Sequence, residues 1–157
     1  MSRRGLIEMT DAEVRSFLES SKTIIINSIG PGGYPHPMPM WFGLDPDGSV
    51  RMTTFRASQK VKNLQRDPRV SLLAEAGEEY AQLIGVVLYG RAQVIDDLAV
   101  VTQTLISVTT RGQPALDPAA REGMAKVVQK TAAKRVCIVV KPERVVSWDH
   151  RKLGGTY

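Results

Sequence analysis

The sequence is poor in residues that carry chemistry unaided. It holds one cysteine and two histidines in 157 residues, so no internal disulfide forms and no set of side chains has metal-ligand spacing. Cys137 lies within the apolar run Val136 to Val140 and reads as a small buried hydrophobe. No Gly-x-Ser-x-Gly elbow or other nucleophile–base constellation occurs, and His36, set between prolines, reads as a rim residue rather than a general base. The longest apolar runs, Leu83 to Tyr89 and Val136 to Val140, fall far short of the ~20 residues of a membrane span. No apolar stretch follows the basic start Met1-Ser2-Arg3-Arg4, as a secretory signal requires. A cytoplasmic protein with no membrane partner is expected. If chemistry occurs here, a bound cofactor has to bring it.

What is present suits one ordinary core. Hydrophobic residues make up 43% and charged residues 24%, with no low-complexity tract or repeat, so residues 1–157 are expected to form a single domain. The 21 Lys and Arg exceed the 16 Asp and Glu by five, which favours an anionic partner. Nucleic acid is not expected, because the few aromatics are not interleaved with the cations. The cations are spread along the chain except in one denser segment, Arg56 to Arg69.

Thr10-Asp11-Ala12-Glu13 has the form of a capping box and predicts a helix from about Asp11 to Ser20. Thr23 to Ile29 is a β-branched run expected of a strand buried on both faces or set in a barrel wall. Gly30-Pro31-Gly32-Gly33 turns the chain into an extended stretch, Tyr34 to Leu44. There Pro35, Pro37 and Pro39 remove backbone donors and so predict an edge or rim. Asp45-Pro46-Asp47-Gly48 is a hairpin turn before a strand, Ser49 to Phe55. Ser58 is expected to cap a short helix through Arg66, stopped by Asp67-Pro68 before a strand at Val70 to Ala74. Gln82 to Ile95 reads as a long strand bent at Gly85 and Gly90. Asp96 or Asp97 then caps a helix through about Thr109, with Leu98, Val101, Leu105 and Val108 on its apolar stripe. Asp117-Pro118 opens a helix through about Ala133, and Arg135 to Trp148 is the last strand. Short turns between most strands imply an antiparallel sheet closing on itself with helices outside, a mainly β, α+β fold.

The stretch Thr53-Thr54-Phe55-Arg56-Ala57-Ser58-Gln59-Lys60-Val61-Lys62-Asn63-Leu64-Gln65-Arg66-Asp67-Pro68-Arg69-Val70-Ser71-Leu72 resembles the pyridoxamine 5′-phosphate oxidase-like split-barrel superfamily. Within it, the likeness is to the flavin/deazaflavin oxidoreductases of actinobacteria that use coenzyme F-420. The resemblance implies a split β-barrel of the FMN-binding kind and a homodimer with cofactor at the subunit interface. It also implies a phosphate on the basic turn, a ring near the proline-rich strand, and a small-molecule acceptor for the hydride.

The residues themselves give a parallel reading. Thr53, Thr54 and Ser58 place hydroxyls where a strand ends and a helix begins, and a helix N-terminus offers free N–H groups to an anion. Lys60 adds a charge on the first turn, and Arg56 and Lys62 add more. Met40 and Trp41 offer a flat apolar wall. Asn63 and Leu64 read as packing residues. By resemblance, Trp148 meets the cofactor of the other subunit, with interface packing as the alternative. Lys134 reads as a distant, solvated helix end. The tail from Leu153 to Tyr157 is open between covering the site and moving freely. No catalytic residue is identified. The functional expectation is an F-420-dependent reductase, with an FMN oxidoreductase or a non-catalytic deazaflavin carrier as alternatives.

Overall fold

The computed structural model describes residues 4–154. Its helices are α1 (Arg4–Ile7), α2 (Asp11–Ser20), α3 (Gln59–Arg66), α4 (Leu98–Thr109) and α5 (Pro118–Ala132). Its strands are β1 (Thr23–Ile29), β2 (Pro35–Trp41), β3 (Gly43–Leu44), β4 (Val50–Phe55), β5 (Arg69–Ala76), β6 (Ile84–Ile95) and β7 (Arg135–Asp149). The strands form one antiparallel seven-stranded sheet in the order β2-β1-β5-β6-β7-β4-β3. The two edges of this sheet, β2 and β3, are neighbours in sequence with only Phe42 between them, so the chain itself bridges the curled sheet's open seam.

Strand alternation builds the core. Ile24, Ile26 and Ser28 of β1 point inward and are buried, while Ile25, Asn27 and Ile29 on the other face are half-buried. The expectation of burial on both faces is thus met only as a barrel wall. Leu72, Val86, Leu88, Met52 and Ile138 join the interior from the neighbouring strands, and Phe42 closes it. Long β6 bends as its glycines require. The register slips between Tyr89 and Gly90, and a Cβ on Gly90 would lie 2.5 Å from the Lys141 carbonyl oxygen.

Caps largely follow the sequence. Thr10 and Glu13 form a reciprocal capping box on α2, and Asp97 and Asp117 accept from Val100 and Ala120 N–H to start α4 and α5. Ser58 is the exception. It holds the N-cap position of α3 but makes no side-chain cap bond, because its hydroxyl faces Thr54 instead, 3.3 Å away. The stripe of α4 is also rotated from the expected one. Val101, Thr104 and Ile106 are buried and Leu98 is 48% exposed. Thr104 is admitted to the interface because its hydroxyl donates to the Val100 carbonyl at 2.8 Å. Cys137 lies beneath it, fully buried, and burial pushes its thiol pKa up. Gly155 to Tyr157 of the tail lie outside the described residues.

Candidate functional site

Two strands that could zip together stop short. Gly43 pairs with Arg51 and Leu44 with Val50; continued, that register would set Trp41 against Thr53 and Pro39 against Phe55. Instead β2 pairs with β1, and β4 pairs with β3 and β7. The cause is readable in the backbone. Gly30 N–H donates to the Tyr34 carbonyl at 2.7 Å, so alternation turns the groups of His36, Met38 and Met40 toward β1. Those of Pro35, Pro37, Pro39 and Trp41 turn outward, and at the three prolines the outward N–H is missing. Across the gap, Arg56 N–H donates to the Lys134 carbonyl at 3.0 Å, which leaves Thr53 and Phe55 as the outward set of β4. The Phe55 carbonyl is taken by Ser58 N–H at 3.0 Å. The result is a slot between two strand edges that have different partners. One lip carries the carbonyls of Pro37 and Pro39, and the other carries the N–H groups of Thr53 and Phe55.

The basic turn stands at the Phe55 end of this slot. Val61 and Lys62 N–H donate to the Ser58 carbonyl, leaving the Gln59 and Lys60 N–H groups directed out of the first turn of α3. Lys60 is 7% exposed, and its ammonium donates to Thr54 Oγ1 at 2.9 Å. Among the described residues no carboxylate pairs with it. Burial foremost, then the charge of Arg135, holds its pKa below the usual lysine value. Arg135 opens β7 opposite Phe55, with its guanidinium carbon 4.4 Å from the centre of the Phe55 ring. Its Nε is buried and has no hydrogen-bond partner among the described residues.

The structure gathers Thr54, Ser58 and Lys60 into one hydrogen-bonded group. Thr53 contributes backbone to the slot while its side chain faces the Cys137 side of the sheet. Arg56 is engaged elsewhere, in a two-pronged pair with Asp96 at 2.7 Å, and ties the turn to the start of α4. Lys62 is exposed one turn position on. Met40 and Trp41 project to opposite faces of β2, Met40 against the core and Trp41 outward beside Lys22 and the end of α4. Trp148 lies at the other end of β7, on the order of 40 Å of strand from Arg135, with its ring over Gly85, where a Cβ would come within 2.2 Å of it. One protomer therefore does not bring Trp148 to the basic turn. Asn63 packs as expected, fully buried and donating to Ser28 Oγ at 3.0 Å.

Sequence reasoning missed Arg135 and misplaced Lys134. Both reach the turn through β4–β7 pairing, a non-local contact. No local signal marks either one, just as none marks the pairing of Arg56 with Asp96, 40 residues along the chain. Among the described residues no group of three or more His, Cys, Asp or Glu is placed to share a metal ion, and no helix is long and apolar enough to cross a membrane.

Comparison with known proteins agrees with this architecture. The family model for pyridoxamine 5′-phosphate oxidase matches residues 10–149. A conserved hypothetical protein of Mycobacterium tuberculosis, Rv2991, is 34% identical, with 100% of this chain and 95% of that one covered and a TM-score of 0.86. An F-420 reductase shares the fold at 22% identity, covering 83% of this chain and 94% of its own, with a TM-score of 0.59. A FAD-binding protein of Mesorhizobium loti does so at 16% identity, 88% and 92% coverage and a TM-score of 0.58. No curated protein matches the chain significantly in sequence.

Proposed function

Since the chain belongs to the pyridoxamine 5′-phosphate oxidase family, whose split barrels include flavin-binding oxidoreductases, we propose that it is a deazaflavin-dependent reductase using coenzyme F-420. The observation that carries the reading is Lys60, a buried ammonium with no carboxylate partner among the described residues. A buried cation without a counter-charge is costly, and an anion at the head of α3 offsets that cost. Thr54, Ser58, Lys60 and the Gln59 and Lys60 N–H groups are the ligands offered to a phosphate. The slot's lips, acceptors on β2 and donors on β4, suit the polar edge of a planar heterocycle.

When bound, the cofactor supplies the hydride, and the chain's part is to hold the ring, exclude water and leave room for an unsaturated organic acceptor. Exposed Lys62 and Lys134, beside the turn, are the cations that favour an acidic tail over a bare phosphate. FMN, with the same phosphate chemistry, is the second reading.

Self-association belongs to the same proposal. The outer face of the sheet carries a row across five paired strands, Pro39, Ile25, Leu73, Val87 and Val146. A second copy related by a two-fold axis would cover it and bring Trp148 toward the partner's site. Fluorescence titration with F-420, FMN and riboflavin tests the cofactor. F-420 should bind tightest, with an advantage that shrinks as salt rises. Equal binding of F-420 and FMN at all salt concentrations would remove the deazaflavin assignment, and tight binding without hydride transfer to enones or quinones would make the protein a carrier.

A further inference from the structure

We infer that Arg135 is a second ligand of the anion held at the head of α3, so that the site is a two-cation clamp built for a phosphate group. The inference rests on the cofactor reading above and adds a residue that no motif in the chain marks.

Its first support is an orphaned donor. A guanidinium presents five N–H donors, and buried donors left unpaired are rare and unfavourable. The Nε of Arg135 is one, buried and without a partner among the described residues. Its second support is the charge pattern. Among the described residues neither Arg135 nor Lys60 pairs with any carboxylate, and whereas Arg66, Arg91, Arg121 and Arg144, which likewise lack one, are exposed, Lys60 is buried and Arg135 half-buried. Arg135 stands opposite Phe55 at the end of the β4–β7 ladder, and the Phe55 carbonyl takes the N–H of Ser58 at the head of α3. The charges of Arg135 and Lys60 repel in the empty state, and an anion between them turns that repulsion into attraction. The third support is rigidity. Arg135 is fixed at a strand end, with its guanidinium against the Phe55 ring at 4.4 Å, so little side-chain freedom is lost when it binds. A carboxylate has two oxygens for these donors. The tetrahedral oxygens of a phosphate can face the ammonium, the guanidinium and the helix N–H groups from different directions, where a planar carboxylate keeps its acceptors near one plane, which favours phosphorylated ligands.

The test compares Arg135→Gln, Arg135→Lys and Lys60→Met with wild type, each checked by circular dichroism and thermal melting. Affinities are measured for FMN against riboflavin, and for F-420 against the same deazaflavin lacking its phosphate-bearing tail. Arg135→Gln should lose roughly ten- to thirtyfold in affinity for the phosphorylated member of each pair, with no loss for the other, and Arg135→Lys should recover part of it. In the nitrogen–proton NMR spectrum, the Arg135 Nε–H peak, identified by its absence in Arg135→Gln, should shift on saturation with FMN and stay in place with riboflavin. If Lys60→Met loses the phosphate preference while folded Arg135→Gln keeps it, the inference fails and the cofactor reading survives. If wild type shows no preference for the phosphorylated member of either pair, both fail.

Discussion

The residue that decides most is Lys60, and its burial changes what substitution there should do. Read as a solvated first-turn lysine, its replacement would leave stability untouched. As a buried ammonium that meets a hydroxyl and, among the described residues, no carboxylate, it costs the ligand-free fold something, so Lys60→Met should raise stability by about 1–2 kcal/mol in chemical denaturation while weakening phosphorylated cofactors by roughly ten- to a hundredfold. Loss of both stability and affinity would mean that Lys60 has a structural partner. Lys126, ion-paired with Glu122 on α5, is the proper control, because Lys134 lies at the turn. Titration follows from the same burial. Lys60's folded pKa is below its unfolded value, so between the two the unfolded state holds more protons, and ligand-free stability should rise with pH across that alkaline window. An anion stabilises the ammonium, so affinity should fall as pH rises through the lowered pKa. An affinity flat up to the ordinary lysine range would place the phosphate elsewhere. The acid side has a marker of its own in Asp67, which hydrogen bonds from Arg69 hold down to about 2. Its contribution is complete above the ordinary aspartate value and is lost as pH falls through about 2. Lys60, Thr54 and Ser58 were legible in the sequence because they sit within seven residues of one another along the chain. Arg135 was not, because only a ladder between distant strands brings it there.

Among the elements, β2 shows how a local pattern sets a tertiary gap. Its alternating prolines were readable as an edge, and the structure adds which edge and what faces it. The prolines fall at three of the four outward positions, Trp41 being the fourth, so from Pro35 to Pro39 the strand offers acceptors without donors and cannot complete a ladder onto β4. Pro39→Val restores one outward N–H. The hairpin should then extend, Thr53 and Phe55 amides should gain protection from hydrogen exchange, and cofactor affinity should drop as the slot narrows. Unchanged exchange at both amides would show that something other than the prolines keeps the lips apart. The buried face of α4 departs from its apolar periodicity for a complementary reason. Threonine is counted as polar by periodicity, yet Thr104 satisfies its hydroxyl within the helix and can be buried. The Ser58 hydroxyl, by contrast, was assigned to the helix that follows and is drawn instead to Thr54 on the preceding strand.

For the whole molecule, pattern and turn chemistry made the strand order along the chain legible, while closure into a seamed barrel depended on pairings no local signal carries. The outer row through Ile25, Leu73 and Val87 leads to a measurable expectation. Wild type should sediment as a dimer at micromolar concentration, and Leu73→Arg, which sets a charge at the centre of that row, should give a folded monomer. A monomeric wild type would end the proposal that cofactor sites are shared between subunits. The way the seam is joined has a further consequence for motion. Phe42 lies between the two lips, is fully buried, and has its carbonyl held by Arg111 at 2.8 Å with the guanidinium over its ring at 4.0 Å. The far end is tied as well, because Asn63 of α3 donates to Ser28 Oγ on β1 at 3.0 Å, and Ser28 pairs with His36 of β2. The slot is thus framed at both ends rather than hinged at one, so the basic turn is set in place before a ligand arrives and little ordering is left to be done on binding.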